Sequence, residues 1–310
     1  MSEQLIRLFG KEIQKNLFPE NEFYKNSRLD GGIEPQARTI DVPQSGALPG
    51  VVVNPNVFPL QISQRTDDTL QYDVSLLATL PIHITDFNLY EINYDKRKDI
   101  LEDHVSILNT RAAELIGYSW ATGIPAANII RTTGTGRASA FGGANKKRVT
   151  YQDIVKLDEL LNRQNVPMMD RCLLVPATML GDLLAIEEFI SSDYTMKKGV
   201  VNDGSIGTIL RFKVYVRSMG INFDDTGLLT REPVYDPVSG LLVNPAADTN
   251  ESILAWHQMY VRRAEGNVKV YAETDRPEFI GSYYNAAVRV GGTRGRADNV
   301  GVVALVQEDV

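Results

Sequence analysis

The sequence predicts an α+β fold organised around one long helix. Three observations carry this prediction. Apolar residues recur at helical spacing over residues 95–121, a period-two apolar pattern over residues 59–78 indicates a β-hairpin, and residues 151–190 alternate between helix and strand patterns as an α/β lobe does. With 310 residues, 43% of them hydrophobic and 23% charged, the chain is long enough for a large core divided between two lobes.

Composition excludes several classes of protein. The net charge of −7 argues against a surface built wholly for nucleic acid, while leaving room for a local basic face. The single cysteine, Cys172, lies in an apolar run and has no partner for an intrachain disulfide, so we expect a buried thiol. Charged residues interrupt the first turns of the chain and prolines interrupt residues 42–64, so neither a signal peptide nor a membrane helix is predicted.

The first fifty residues predict a short helix followed by an extended arm. Apolar residues fall at helical spacing over residues 2–17, which favours an amphipathic helix. From Pro19 to Pro59 the chain is rich in proline and glycine and shows no sustained period. Such an arm must lie against another surface in order to be fixed.

Residues 59–78 predict two strands, each with one apolar edge. Leu60 and Ile62 belong to the first strand, and a charged turn over residues 65–69 follows. The second strand carries the apolar series Leu70, Tyr72, Val74 and Leu76. The flanking segments offer this face no evident cover, so we expect a second copy of the chain to bury it; the alternative is that these residues complete the core of their own chain.

The rest of the chain divides into a long helix, a compact lobe and a final group of strands. Over residues 95–121 the apolar stripe is followed by Gly123 and Pro125, and Asn109 is expected to point away from the stripe. In the lobe we expect helices at 151–165 and 178–190, strands at 172–175 and 207–216, and a surface loop at 220–250. The last strands are expected near Trp256 and at 268–271, 280–290 and 300–306, with a break at Gly291 and Gly292.

No catalytic constellation emerges from the sequence. The histidines lack metal-site spacing and the acidic pairs are adjacent in the chain, so we expect no metal, no cofactor and no enzyme activity. Residues 132–148 are glycine-rich and basic but lack the spacing of a phosphate-binding loop, so a nucleotide-using α/β enzyme is a remote alternative. This segment carries the basic residues Arg131, Arg137, Lys146, Lys147 and Arg148.

The order of these elements resembles that of the major capsid proteins of tailed bacteriophages, the family with the HK97 fold. The resemblance covers nearly the whole chain, and it includes a return into the peripheral lobe through the segment ending "DRPEFIGSYYNAAVRVGG". It implies an N-terminal helix and arm (1–50), an extended hairpin called the E-loop (51–93), a peripheral domain with the long spine helix (94–150 plus 261–297), and an α/β axial domain (151–260 plus 298–310).

The resemblance also implies function and partners. The chain would be a structural protein that self-assembles into hexamers and pentamers of an icosahedral shell around double-stranded DNA, built in the host bacterial cytoplasm and located in the virion. Because the E-loop of this family lies across a neighbouring subunit, the expected subunit interface consists of Leu60, Ile62, Leu70, Tyr72, Val74 and Leu76. Candidates for a genome-facing surface that contacts DNA nonspecifically are Arg131, Arg137, Lys146, Lys147, Arg148, Arg289, Arg294 and Arg296.

Further partners and one rival follow from the same resemblance. Portal, scaffolding and decoration proteins are expected partners, with scaffolding as a separate protein, and no membrane is involved. The isopeptide cross-link that some members form from an E-loop lysine is not expected, since no lysine lies between Lys25 and Lys96. An encapsulin-like nanocompartment shell protein, which has the same fold and encloses an enzyme, is the alternative.

Overall fold

A computed structural model gives the fold over most of the chain. It describes residues 22–30, 38–85 except 47, 57, 61 and 63, 95–139, 145–186, 205–224 except 219, 235–236, 241–242, 249–276 except 267, and 281–310. Three helices are present in these ranges: α1 (Asp95–Ala121), α2 (Tyr151–Arg163) and α3 (Ala177–Leu184). The strands are β1 (Arg28–Leu29), β2 (Thr39–Gln44), β3 (Asp68–Asp73), β4 (Ser75–Ala78), β5 (Ile82–Thr85), β6 (Ile129–Arg131), β7 (Gly136–Arg137), β8 (Lys146–Lys147), β9 (Arg171–Pro176), β10 (Ser205–Ile209), β11 (Phe212–Arg217), β12 (Ile221–Asp224), β13 (Tyr235–Asp236), β14 (Leu241–Leu242), β15 (Thr249–His257), β16 (Val261–Glu265), β17 (Lys269–Arg276), β18 (Gly281–Arg294) and β19 (Val302–Val306).

A seven-stranded sheet, here called the axial sheet, forms the larger lobe. Its strand order is β10-β11-β9-β15-β19-β6, and β12 pairs with β15. Leu173 and Val175 of β9 point to the face that α2 and α3 cover, whereas Cys172 and Leu174 point to the opposite face. This alternation is that of a central strand covered on both faces, so the α/β lobe predicted from the sequence is confirmed.

The second sheet, here called the peripheral sheet, is organised along the long strand β18. The order is β1-β16-β18-β17, and β18 also pairs with β4 through residues 287–290 and with β5 through residues 281–284. The predicted spine helix is confirmed as α1, a helix of 27 residues that packs along β18. Its buried residues Val105, Leu108, Ala112 and Ile116 repeat at helical spacing, which explains why this segment becomes one continuous helix.

One apolar core joins α1 to both sheets. It contains Ile116 and Trp120 of α1, Trp256 of the axial sheet, and Val288 and Val290 of the peripheral sheet. All five side chains are buried. Because a single core connects the two sheets through the long helix, the base from which the hairpin projects is a firmly packed body.

Four sequence expectations need correction. Gly291 and Gly292 do not break the chain but lie inside β18, where they allow β3 and α1 to approach closely. Residues 207–216 form parts of two antiparallel strands, because Leu210 and Arg211 both adopt positive φ and make a tight turn. Asn109, expected to point outward, is 1% exposed.

The fourth correction concerns the boundary between the two lobes. Residues 94–150 were expected in the peripheral domain, but β6 (129–131) pairs in parallel with β19 of the axial sheet. The end of α1 therefore passes directly into the axial lobe. The predicted helix at 2–17 lies outside the described residues, as does most of the predicted loop at 220–250.

Candidate subunit interface

The projecting hairpin differs from the expected one in its first strand. β3 pairs with β2, from Thr39 opposite Asp73 to Gln44 opposite Asp68. Residues 59–60, 62 and 64 form no strand, although residues 59–63 were predicted as one. The reason is that Ile40 and Val42 of the arm offer β3 an apolar partner. The segment 45–67 connects β2 to β3 and is called here the hairpin loop; its described residues form no strand.

Half of the expected interface residues find cover inside their own chain. Tyr72 and Val74 are 7% and 3% exposed, and they pack with Val42 and Ala264. Leu70 is partly buried against the same cluster. The expectation that a second copy must cover Tyr72 and Val74 is therefore wrong, because β2 and β16 cover them.

The hairpin is held near both ends by polar contacts with the body of the protein: Tyr72 lies near its base, whereas Gln44 lies at the end next to the hairpin loop. The hydroxyl of Tyr72 donates to Asp30 Oδ2 at 2.7 Å, and Arg262 Nη1 donates to Asp30 Oδ1 at 2.7 Å. Gln44 Nε2 donates to the carbonyl of Gly295 at 2.9 Å. Burial, with the neighbouring Asp30 carboxylate, raises the pKa of Tyr72. The phenol is thus neutral and acts as a donor.

The two ends of the hairpin loop are joined by Asp67. Its Oδ1 accepts from the backbone N–H of Gly46 at 2.8 Å and from Arg65 Nε at 2.6 Å. The Gly46 N–H and then the Arg65 guanidinium lower the pKa of Asp67 below its usual value. A Cβ on Gly46 would collide with the carbonyl oxygen of Thr66, so glycine is required where the chain closes. The charged turn at 65–69 therefore closes a long loop and does not link two strands.

The hairpin loop exposes an unusual amount of apolar surface. Ile62 is 94% exposed and Leu60 is 47% exposed, so both remain available for a partner. Five further apolar side chains of the loop are also exposed, although they were not among the predicted interface residues: Leu48, Val51, Val52, Val53 and Phe58. The sequence did contain one indication of this surface, the apolar run Val51-Val52-Val53 between prolines. Such a run, in a segment without helical or strand periodicity, has no core of its own to pack against, so its exposure could have been predicted.

A second apolar strip follows the hairpin. Leu76, in β4, is 60% exposed, and Leu80, between β4 and β5, is 85% exposed, although both strands belong to the peripheral sheet. The phase of the pattern shifts after Val74, because β3 and β4 belong to different sheets. Leu76 therefore points outward while Leu77 packs on the core. On α1, Ile107 is 54% exposed.

Most of the predicted genome-facing residues are engaged within the chain. Arg131 pairs with Glu308 at 2.7 Å, Arg137 with Asp182 at 3.5 Å, and Arg296 with Asp298 at 2.5 Å. Lys146 is 3% exposed, and its ammonium binds Asp309 and Asn250. Because Lys146 is buried and neutralised, its expected role in DNA contact is wrong.

The remaining basic residues vary in exposure. Arg148 is exposed and has no ion pair among the described residues. Lys147 and Arg289 are half-buried. Arg294 Nη1 donates to the carbonyl of Gly123 at 2.7 Å, and burial lowers the pKa of its guanidinium. The structure thus leaves Arg148 as the clearest candidate for a phosphate contact.

The glycines of the 132–148 segment serve close backbone packing. β7 and β8 form a two-stranded ladder in which the N–H of Gly134 donates to the carbonyl of Arg148 at 3.1 Å. A Cβ on Gly134 would collide with that carbonyl, and one on Gly136 would lie 2.7 Å from Val310 Cγ2. The N–H of Gly134, which a phosphate-binding loop would offer to its ligand, is therefore already bound within the chain.

Two other features, a membrane-spanning helix and a metal site, are absent from the described residues. Across these ranges, no helix is long and apolar enough to cross a membrane. No group of three histidine, cysteine, aspartate or glutamate side chains in the same ranges could hold a metal ion.

Comparison with known proteins places the chain in a family. The model of the family described as phage capsid protein matches residues 100–306. The capsid of Ralstonia phage GP4 is similar, with 13% identity, a TM-score of 0.66, and 92% of this chain and 87% of that chain covered. The capsid of cyanophage Pam1 is similar with 11% identity, a TM-score of 0.62, and 93% of this chain and 92% of that chain covered.

A third structure shares the fold. A virus-like particle from Pyrococcus furiosus has 10% identity and a TM-score of 0.56, with 97% of this chain and 99% of that chain covered. Identities this low show the fold alone. No curated protein matches the sequence.

The fold and the family match together define a structural protein that assembles into capsids with other copies of itself. The chain belongs to the phage capsid protein family, whose model spans two thirds of its length. It is a structural major capsid protein with the HK97-like fold, and its place is the virion capsid. The encapsulin alternative is less supported, since the family match is to phage capsids.

Proposed function

We propose that copies of this chain form hexamers and pentamers of an icosahedral shell around double-stranded DNA, and that the hairpin loop of each copy packs on the next copy. The observation that carries the proposal is the exposure of Ile62 at 94% and of Val51 at 89% on a loop whose base is firmly anchored. Monomeric proteins rarely expose many large apolar side chains in one segment.

Closed rings follow from the way this contact is made. One copy supplies the hairpin loop and the next supplies a different surface, so the contact is head-to-tail. Head-to-tail contacts form rings when the rotation between copies closes. Leu60, Ile62 and Leu76 keep their expected interface role, whereas Tyr72 and Val74 support it only by holding the hairpin.

Contact with the genome is proposed for Arg148. It directly follows β8, is exposed, and ends a segment that has no acidic residue from Arg131 onward. Such a side chain contacts phosphates without regard to sequence and in a salt-dependent way. Portal, scaffolding and decoration proteins remain proposed partners, and the host bacterial cytoplasm remains the proposed site of assembly.

The assembly proposal is tested by placing one charge on the hairpin loop. Ile62→Asp puts a carboxylate where the proposed contact is apolar, and Gln64→Asp adds the same charge two residues away without removing apolar surface. We expect electron microscopy to show shells for the wild type and for Gln64→Asp, and a folded, unassembled chain for Ile62→Asp. Normal shells of the Ile62→Asp variant would refute the role of this loop.

The content of the wild-type shells tests the second part of the proposal. Nucleic acid together with portal protein, detected by absorbance and mass spectrometry in particles from infected cells, is the expected result. An enclosed enzyme in place of DNA would favour the nanocompartment.

A further inference from the structure

We propose that Asp30 fixes the angle at which the hairpin of β2 and β3 leaves the body of the protein. The Asp30 carboxylate does so as an acceptor shared between Tyr72 on the hairpin and Arg262 on the peripheral sheet. The inference rests on the proposed function, since that angle decides where the hairpin loop reaches the next copy. Asp30 is thus a positioning residue for assembly.

Asp30 is itself held in place by the peripheral sheet. β1 pairs in parallel with β16, with Leu29 opposite Arg263. The backbone N–H of Asp30 then donates to the carbonyl of Arg263 at 2.9 Å. The carboxylate is only 13% exposed, and its partner Arg262 is 16% exposed. Both backbone and side chain of Asp30 therefore have a defined position.

The segment before Asp30 is anchored to both sheets and to α1. Phe23 lies edge-on to Trp120 and to Trp256, with ring centroids 6.2 Å apart in each case. Trp256 Nε1 donates to the carbonyl of Asn26 at 2.9 Å, and Arg263 Nη1 donates to the carbonyl of Tyr24 at 3.0 Å. Residues 22–30 therefore form a fixed strap across the junction of the two lobes.

The hairpin meets this strap through a directional contact. Its apolar contacts, those of Val42, Tyr72 and Val74 with Ala264, have no preferred direction. A hydrogen bond to a carboxylate is both stronger and directional. The bond from Tyr72 to Asp30 at 2.7 Å, with that from Gln44 to the carbonyl of Gly295 at 2.9 Å, therefore selects one orientation among those that apolar packing allows.

The geometry of the hairpin amplifies any change at this point. Asp68, the loop end of β3, lies four residues from Tyr72, or about 13 Å along the strand, so a rotation of about 10° at Tyr72 moves that end by about 2 Å and strains the bond from Gln44 to Gly295. Displacements of that size separate one packing arrangement from another. Loss of the Asp30 contact should therefore widen the range of positions of the hairpin loop before it prevents folding.

The test measures the orientation directly in the unassembled chain. Spin labels at Gln64→Cys and Ala297→Cys report the distance between the hairpin loop and the peripheral lobe, both positions being exposed. Tyr72→Phe removes only the hydroxyl, and Asp30→Asn removes the charge at nearly constant size. The matched controls are Tyr271→Phe, an exposed tyrosine of β17, and Asp41→Asn, an exposed aspartate of β2.

We expect the distance distribution to broaden by about twofold in Tyr72→Phe and Asp30→Asn and to stay unchanged in the controls, because a directional constraint is lost without loss of the core. Circular dichroism should show that all four variants are folded. Wild-type widths in both test variants would overturn the inference.

Electron microscopy then tests the consequence for assembly. Shells of Tyr72→Phe and Asp30→Asn should vary in size, whereas wild-type shells should be uniform. Uniform shells from a variant whose distance distribution is broadened would refute the role of Asp30 in assembly. Failure of the wild type to form shells would instead refute the proposed function, while the distance measurement still decides whether Asp30 fixes the hairpin.

Discussion

Trp120 of α1 and Trp256 of β15 lie with ring centroids 5.5 Å apart where the long helix crosses from one sheet to the other. Each indole N–H has a backbone acceptor. Trp120 Nε1 donates to the carbonyl of Arg262 at 3.0 Å, and Trp256 Nε1 donates to that of Asn26 at 2.9 Å. The pair thus links the axial sheet, the peripheral sheet and the strap of residues 22–30.

Replacement of Trp120 by phenylalanine should weaken this junction. The variant leaves the carbonyl of Arg262 without its donor and leaves a small void in a fully buried site. We expect the free energy of unfolding in urea to fall by about 2–4 kcal/mol. Phe58→Leu, at a side chain that is 72% exposed, is the control and should change it by less than about 0.5 kcal/mol. Equal effects of the two variants would contradict the assigned role of the tryptophan.

A methyl group at Gly291 should destabilise the packing of the hairpin base on β18. A Cβ at this position would lie 2.8 Å from the carbonyl oxygen of Asp73, a backbone atom that cannot move freely. Gly291→Ala should therefore lower the free energy of unfolding by about 1–3 kcal/mol.

The control for that substitution is Gly181→Ala in α3. A Cβ there meets nothing within 4 Å. Because alanine favours a helix over glycine, this variant should be more stable by up to about 1 kcal/mol. Thermal unfolding measures both variants, and a stabilised Gly291→Ala chain would show that the approach of β3 is not close.

The sequence was sufficient to predict those elements whose own residues carry a regular apolar pattern. α1, α2 and β9 follow from their own apolar periods, because each packs on neighbours that demand one regular stripe or a fully apolar strand. The resemblance to capsid proteins rested on the order of such elements, and it gave the fold correctly.

The hairpin could not be derived in the same way, because its partner strand carries no regular apolar pattern. β2 contains Pro43 and shows a weak pattern, so Ile40 and Val42 gave no strand signal although they cover Leu70 and Tyr72. The predicted roles of basic residues in the 131–148 segment failed for a different reason, which is that their partners are far away in the chain. Glu308 and Asp309 neutralise Arg131 and Lys146 across more than 160 residues of chain, and no local pattern reveals such pairs.

Lys146 and Arg148 should therefore behave differently on substitution. Lys146→Met keeps the apolar stem but removes the ammonium that binds Asn250, whose side chain is completely buried. We expect a loss of about 1–3 kcal/mol in the free energy of unfolding. Arg148→Met, at an exposed side chain, should change it by less than about 0.5 kcal/mol. Chemical denaturation compares them, and indistinguishable curves would argue against a structural role for Lys146.

Glu251 predicts a pH dependence of stability. Burial raises the pKa of its carboxyl above the ordinary value of 4.5, although the bond from Thr178 and the charge of Arg137 oppose the shift. The folded state therefore holds the proton more tightly than the unfolded state does. The stability from Glu251 is fully present below about pH 4.5 and is lost as the pH rises through the raised pKa.

Glu251→Gln tests this sign, because glutamine stays neutral at every pH. Relative to the wild type, the variant should be more stable at about pH 7.5 than it is at about pH 4.5. Urea unfolding at both pH values gives the difference. Glu159→Gln removes an exposed carboxylate of α2 and controls for the loss of one charge. A Glu251→Gln difference that is the same at both pH values would show that the proton affinity of Glu251 does not change on folding.

Cys172 should be inert toward thiol reagents in the folded chain. It is 1% exposed, and β11 and β15 flank it on β9, with Lys213 and Trp256 as its cross-strand neighbours. Burial raises the pKa of the thiol from 9.0 to about 12, so the reactive thiolate is scarce at neutral pH. Iodoacetamide followed by mass spectrometry should show no modification in native buffer and complete modification in urea. Over much longer times, slow labelling in native buffer should follow the fraction of chains in which the axial sheet is open, so destabilising variants such as Trp120→Phe should accelerate it. Rapid labelling of the wild type would contradict the burial of β9 in the centre of that sheet.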